Sequence, residues 1–293
     1  MATTLDRGRK GDQPTELKVA GAPRRGRLGR VLLYLLLVVV AIFFLLPLVV
    51  VFSASLKFSA EILTDTGIIP RDPGFENYQA LFARAEFVEW FRTSAIVSTL
   101  GTAITIIITS LSAYAFARID FPFKNLLFGL LITTLVLPGV MFLVPQFKLI
   151  GDLGLYDKLP AFALPGLAGV FGVFFMRQFF LGLPVELEEA AYVDGASRLR
   201  TFTSIALPLA GPALATLAVI TFLAFWNDYL WPTIVCQNNC PLPAGLRLLQ
   251  RQYTGDPGLV MAGAAVAAIP VLLLYLLLQR YIVQSVASSG IKG

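Results

Sequence analysis

The chain has 293 residues, 57% of them hydrophobic and 14% charged, with a mean hydropathy of +0.76. That balance is too apolar for a water-soluble domain of this length and places the chain in a bilayer. The formal net charge of +5 does not indicate nucleic acid, because the basic residues crowd the first thirty positions and the ends of apolar runs, where they mark membrane topology.

Residues 1–30 read as a basic tail broken by Gly and Pro, with Arg7, Arg9, Lys10, Arg24, Arg25 and Arg27 among its cations. Residues 31–56 form a first span, too long for a signal-peptide core and without a small-residue cleavage pattern, with Pro47 placed to kink it. Residues 57–91 are polar, and their acids outnumber their cations, so they are expected on the extracytoplasmic side. Residues 92–284 carry five further apolar runs, near Thr93–Ala117, Asn125–Phe147, Pro160–Met176, Ser204–Trp226 and Gly258–Gln279, each close to the length a span needs. Residues 285–293 are left as a C-terminal tail. The expectation is an all-α membrane protein of about six transmembrane helices.

The tail, the short basic turn Arg118–Lys124, the stretch between Arg177 and Arg200, and the C-terminus all fall on one side in this scheme. It gathers 15 of the 23 Lys and Arg there. By the positive-inside rule that side is cytoplasmic, and both termini lie on it.

One polar interruption stands out between the fourth and fifth runs, at residues 184–208. Pro184 suits a first helical turn, Glu186, Glu188 and Glu189 oppose the positive end of the helix dipole, and Arg198 and Arg200 follow. Leu187, Ala190, Ala191 and Asp194 recur at helical spacing as a narrow face of mostly small side chains. Gly195 ends the helix and Ser197 can cap a second one running through Thr201 and Ile205 to Pro208.

Glu189-Ala190-Ala191, then Gly195, then Ile205-Ala206-Leu207-Pro208, resembles the cytoplasmic-loop signature of permease subunits in binding-protein-dependent ABC importers. The resemblance implies the type I importer permease fold, and a coupling helix that docks on a separate ATP-hydrolysing subunit. It assigns that docking to Glu188, Glu189, Ala190, Ala191, Asp194, Gly195, Ala196, Ile205, Leu207 and Pro208. It also implies two ATP-binding subunits, a second permease of homologous type and an extracytoplasmic solute-binding protein. Asn77-Tyr78-Gln79-Ala80-Leu81-Phe82 and Trp226-Asn227-Asp228-Tyr229 resemble segments of the carbohydrate-uptake permeases, which points to a sugar or related polyol. Trp226, Asn227 and Asp228 are then expected along the substrate path, since aromatic faces stack on sugars and amides and carboxylates bond hydroxyls. Trp231 reads instead as part of an interfacial aromatic belt.

No proposed span carries an ionisable residue in its interior, which argues against a carrier driven by an ion gradient. The alternative left open is a self-powered transporter or channel in which residues 184–208 only lie on the lipid surface. With no histidine and no phosphate-cradling glycine loop, no catalytic residue and no cofactor are expected in this chain. Cys236 and Cys240 are too few for a closed metal site and are either bridged or free thiols. The glycines and prolines inside the third and fourth runs, Pro138, Gly139, Gly166, Gly169 and Gly172 among them, are expected mostly to serve close helix packing.

Overall fold

The computed structural model describes residues 27–253 and 255–289, with side chains as far as Gln279. Most of the expected tail, and residues 290–293, lie outside the described residues. The regular structure described is entirely helical. In chain order it comprises α1 (Arg27–Ser55), α2 (Ser59–Thr64), α3 (Glu76–Phe82), α4 (Ala85–Arg118), α5 (Lys124–Thr133), α6 (Leu143–Asp152), α7 (Leu159–Ala163) and α8 (Val170–Leu181). There follow α9 (Glu186–Val193), α10 (Arg198–Thr201), α11 (Leu207–Leu209), α12 (Gly211–Trp226), α13 (Leu230–Val235), α14 (Leu242–Gln252) and α15 (Pro257–Ser289).

The chain divides at Pro47 into residues 1–47 and residues 48–293. In the first unit the helix has no charge after Arg30 and exposes its apolar side chains, Leu36, Val39, Phe43 and Phe44 among them, as a lipid-facing segment does. The second unit is built on α4, whose 34 residues make a rod about 51 Å long at 1.5 Å per residue. α8 and α12 lie against α4, and α15 lies against α12 and α14.

Among the described residues four helices are long and apolar enough to cross a membrane, and two bent pairs bring the number to six if each pair is one span. The third apolar run is therefore not the single rod expected over Asn125–Phe147. It is Lys124–Val136 followed by Gly139–Asp152 at 101°. Leu137 precedes a proline, which disfavours helical geometry, and it adopts ψ 129° as Pro138 adopts ψ 128°. The fourth run bends by 49° between Leu159–Gly166 and Val170–Leu181. The fifth begins at Gly211 rather than Ser204 and reaches Val235. α15 continues through Ser289, past the expected start of the C-terminal tail at residue 285.

Small side chains set the close approaches, which is how helices associate where lipid offers no hydrophobic drive. A Cβ at Gly169 would stand 2.9 Å from the Thr105 methyl, and one at Gly172 3.0 Å from that of Thr109. Phe225 is held on two sides, 2.9 Å from a Cβ at Gly101 and 2.6 Å from one at Gly166. The expectation of packing thus holds for Gly166, Gly169 and Gly172. At Gly139 an added Cβ would meet nothing within 4 Å, so that residue belongs to the break and not to a contact.

The segment of residues 57–91 is tied to the helices by the Asn77–Phe82 stretch. Asn77 Nδ2 donates to the carbonyls of Ser55 and Lys57 at 2.9 and 2.8 Å, capping the end of α1, and the Tyr78 hydroxyl lies 2.6 Å from Ser55 Oγ. Leu81 is fully buried in a cluster with Phe87, Trp90, Leu242 and Leu259. In the same cluster Gly245 of α14 faces the Trp90 indole so closely that a Cβ would overlap it. Gly245→Ala is expected to destabilise the protein by about 1–3 kcal/mol through overpacking. Gly129→Ala, where a Cβ meets nothing within 4 Å, should be neutral, and thermal unfolding in detergent compares the two.

Candidate functional site

The polar interruption folds as helix, left-handed break and helix. α9 starts at Glu186, two residues later than Pro184 suggested, with all three glutamates in its first turn. Gly195 takes φ +78°. Its N–H donates to the Tyr192 carbonyl at 3.0 Å, and the Ala196 N–H donates to the Ala191 carbonyl at 2.9 Å. These are the two bonds of a Schellman cap, which satisfies carbonyls the helix end would otherwise orphan. Ser197 Oγ then accepts the Arg200 N–H at 3.3 Å and opens α10. Pro208 has no N–H to give the Ser204 carbonyl, and the chain takes a π-helical turn over Phe202–Ala206 just before it.

The elbow leaves a groove of about 320 Å³ between its arms, lined by Leu187, Ala190, Asp194, Ala196, Arg200 and Ile205. Glu189 is exposed beside it, while Ala191 is largely buried but also forms part of its wall. Leu207 packs inward on the Met176–Phe202 cluster, and Pro208 is exposed but outside the groove. Glu188, grouped on sequence with the docking residues, is instead turned into the protein and only 4% exposed. It lies one turn before Ala191 on the buried side of α9, so helical geometry carries it inward. Its Oε2 accepts from the Tyr114 hydroxyl at 3.0 Å. Its Oε1 stands 3.0 Å from Arg118 Nε, an ion contact without the alignment of a hydrogen bond.

A second feature is a cavity of about 610 Å³ between α4, the third and fourth spans, α12 and α13. Its polar wall is Thr105, Gln146, Thr221 and Asp228, and its aromatic wall is Phe162, Phe171, Phe225 and Trp231. Thr105 is 2% exposed and its hydroxyl has no partner. Of the three residues expected along a substrate path, only Asp228 lines the cavity. Trp226 is buried on the other side of α12, where its Nε1 donates to the Ala267 carbonyl at 3.1 Å and its ring stacks on Phe222. Asn227 is exposed outside the lining. Trp231 is no belt residue, because it is buried and donates Nε1 to the Ala161 carbonyl at 2.8 Å. The span that continues to Val235 includes Asp228, so the spans are not free of charge as the sequence suggested.

At the other end of α13, Cys236 and Cys240 are joined in a disulfide with Cα atoms 5.1 Å apart. The loop it closes turns three consecutive N–H groups, of Gln237, Asn238 and Asn239, onto Asp157 Oδ1 at 2.8, 3.0 and 3.0 Å.

Residues 106–288 match the family described as binding-protein-dependent transport system inner membrane component. The arabinooligosaccharides transport system permease protein AraQ of Halalkalibacterium halodurans is 33% identical, over 84% of this chain and 91% of that one. The trehalose transport system permease protein SugB of Mycobacterium tuberculosis is 31% identical, over 85% and 93%. In fold, the chain superposes on a bacterial ABC transporter for import of the polysaccharide alginate with a TM-score of 0.77 at 23% identity, covering 89% of this chain and 99% of that one.

The left-handed residue gives a direct test of the elbow. Gly195→Val should introduce about 1–2 kcal/mol of backbone strain and raise amide exchange across residues 191–200 about tenfold, with α4 unaffected. Gly195→Asn, which tolerates that conformation, should leave exchange near the wild-type rate.

Proposed function

The chain belongs to the binding-protein-dependent transport system inner membrane component family, and from that premise we propose that it forms half of the pore of an ATP-driven carbohydrate importer. A second, homologous permease completes the pore, an extracytoplasmic solute-binding protein delivers the solute, and two ATP-binding subunits on the cytoplasmic side drive transport. ATP is hydrolysed in those partners and not in this chain.

The observation that carries this reading is the groove between α9 and α10. Its lining includes Ala190, Ala191 and Ile205 of the family-like signature, together with Asp194 and Ala196 on either side of Gly195. Glu189 and Asp194 are exposed there, so a cationic partner surface can pair with them. The distribution of Lys and Arg supports a cytoplasmic position for the elbow and both termini. The disulfide of the loop after α13 suits the opposite, oxidising side.

A carbohydrate is supported by the names of the relatives, which carry arabinooligosaccharides and trehalose, and by the cavity chemistry. Phe162, Phe171 and Phe225 offer faces to the apolar side of a sugar ring, while Thr105, Gln146 and Asp228 offer donors and acceptors to its hydroxyls. When the ATP-binding subunits close, the docked elbow moves with them and exposes the cavity to alternate sides of the membrane.

Glu189→Lys should leave membrane insertion unchanged while co-purification of the ATP-binding subunits and uptake of labelled trehalose or arabino-oligosaccharide both collapse. Accumulation of sugar by liposomes holding this chain alone under an ion gradient would refute the reading. Asp228→Ala should separate the two sites. It should retain the ATP-binding subunits and lower uptake about tenfold, the effect of losing one hydrogen bond to a charged group.

A further inference from the structure

Behind the elbow lies a buried polar group that ties it to another helix. Glu188 of α9 meets Tyr114 and Arg118, the last two turns of α4, through contacts that bridge 74 positions of sequence in the case of Tyr114. Arg118 also donates Nη2 to the Leu183 carbonyl at 2.5 Å, fixing the strand of chain that enters α9. From the other arm, Arg198 Nη1 reaches the Arg118 carbonyl at 3.5 Å. The Tyr192 hydroxyl, one turn beyond Glu188, is buried without a partner.

The geometry points to Tyr114 and Arg118 as positioning residues that latch the elbow to α4, so that motion received by α9 reaches the cavity wall at Thr105 through α4 itself. This rests on the docking of α9 proposed above and adds the route by which the motion travels. α4 is a continuous helix from Thr105 to Arg118, so a displacement at its end is carried as a rigid body for about 20 Å. The other route, through the π-helical turn and α11 into α12, crosses the break at Ala210. A buried carboxylate is also a demanding anchor, because its charge must keep its partners wherever the helix goes.

The test uses the assembled transporter with its ATP-binding subunits. The native cysteines are joined to each other, so Thr105→Cys on α4 and Ala224→Cys on α12 each supply a single reactive thiol at the cavity. Reaction with a water-soluble maleimide is compared without nucleotide and with ATP and vanadate. In the otherwise unaltered chain both thiols should change rate about tenfold, a modest population shift. Adding Arg118→Gln should abolish the response of Thr105→Cys, adding Tyr114→Phe should at least halve it, and both should leave that of Ala224→Cys. Arg118→Lys, which keeps the charge, should restore it.

A full Thr105→Cys response in both latch variants overturns the latch and leaves the docking of α9 standing. No response at either thiol before any latch substitution overturns the docking as well. Should Arg118→Gln fail to assemble, Tyr114→Phe decides alone, since it keeps the ion pair and removes one hydrogen bond.

Discussion

The contact on which the rest of the structure depends is the close approach of α4 to α8 and α12. It exists because glycine faces threonine: Gly169 against Thr105, Gly172 against Thr109, and Gly101 with Gly166 around the Phe225 ring. Any larger residue at those positions would push the helices apart, and in lipid no hydrophobic drive would bring them back. From this one packing follow the placement of Thr105 on the cavity, of Trp90 in the cluster with Leu81 and Leu242, and of Tyr114 and Arg118 behind the elbow. The hydroxyls of Ser98, Thr102 and Thr105 are buried on that face without partners. Polar atoms are thus left where only a close neighbour, water or a bound solute can satisfy them.

How much could be read from sequence follows the range of the forces involved. The elbow was legible because its determinants are local: Gly195 for the left-handed turn, Ser197 for the cap, and first-turn glutamates for the dipole. The cavity was not, because its lining comes from several segments that only the fold brings together. Phe225 and Trp226 show the difficulty. Adjacent residues point about 100° apart on a helix, so one faces the cavity and the other faces α15. Beyond the break at Asn227 the directions reset, and Trp231 enters the cavity wall where a belt was expected. The bend at Leu137–Pro138 did carry a local signal, the restriction a proline places on the residue before it, which the length of the apolar run obscured.

The two ends of the molecule are held differently. At the end away from the elbow polar ties join segments that are far apart in sequence. Asn77 caps α1, Ser94 Oγ accepts the Leu242 N–H at 2.7 Å, and Asp157 gathers three N–H groups of the disulfide-closed loop. The first two satisfy backbone groups that helix ends leave open, and the third satisfies N–H groups of the loop between α13 and α14. At the elbow end the chain is instead interrupted by a left-handed glycine, a π-helical turn and a proline within fourteen positions, Gly195 to Pro208.

The ion pairs draw the same distinction in energy. Arg92–Glu89 and Arg71–Asp65 have at least one well-exposed partner, and such pairs contribute about 0–1 kcal/mol. Among the described residues two pairs are shielded on both sides: Lys57–Glu61 at 3.8 Å at the end away from the elbow, and Arg118–Glu188 at 3.0 Å behind it. Removing one partner of a buried pair strands the other charge at a cost of about 3–5 kcal/mol, so in both pairs each charge must keep its partner. Lys57 and Glu61 are four residues apart and stiffen only a local turn. Arg118 and Glu188 belong to helices that could otherwise move past each other. Their pairing joins α9 to α4 on the near side of the left-handed residue Gly195. Of the two arms of the elbow, the one bearing Glu189 is therefore the arm whose buried carboxylate is paired with the longest helix in the second unit.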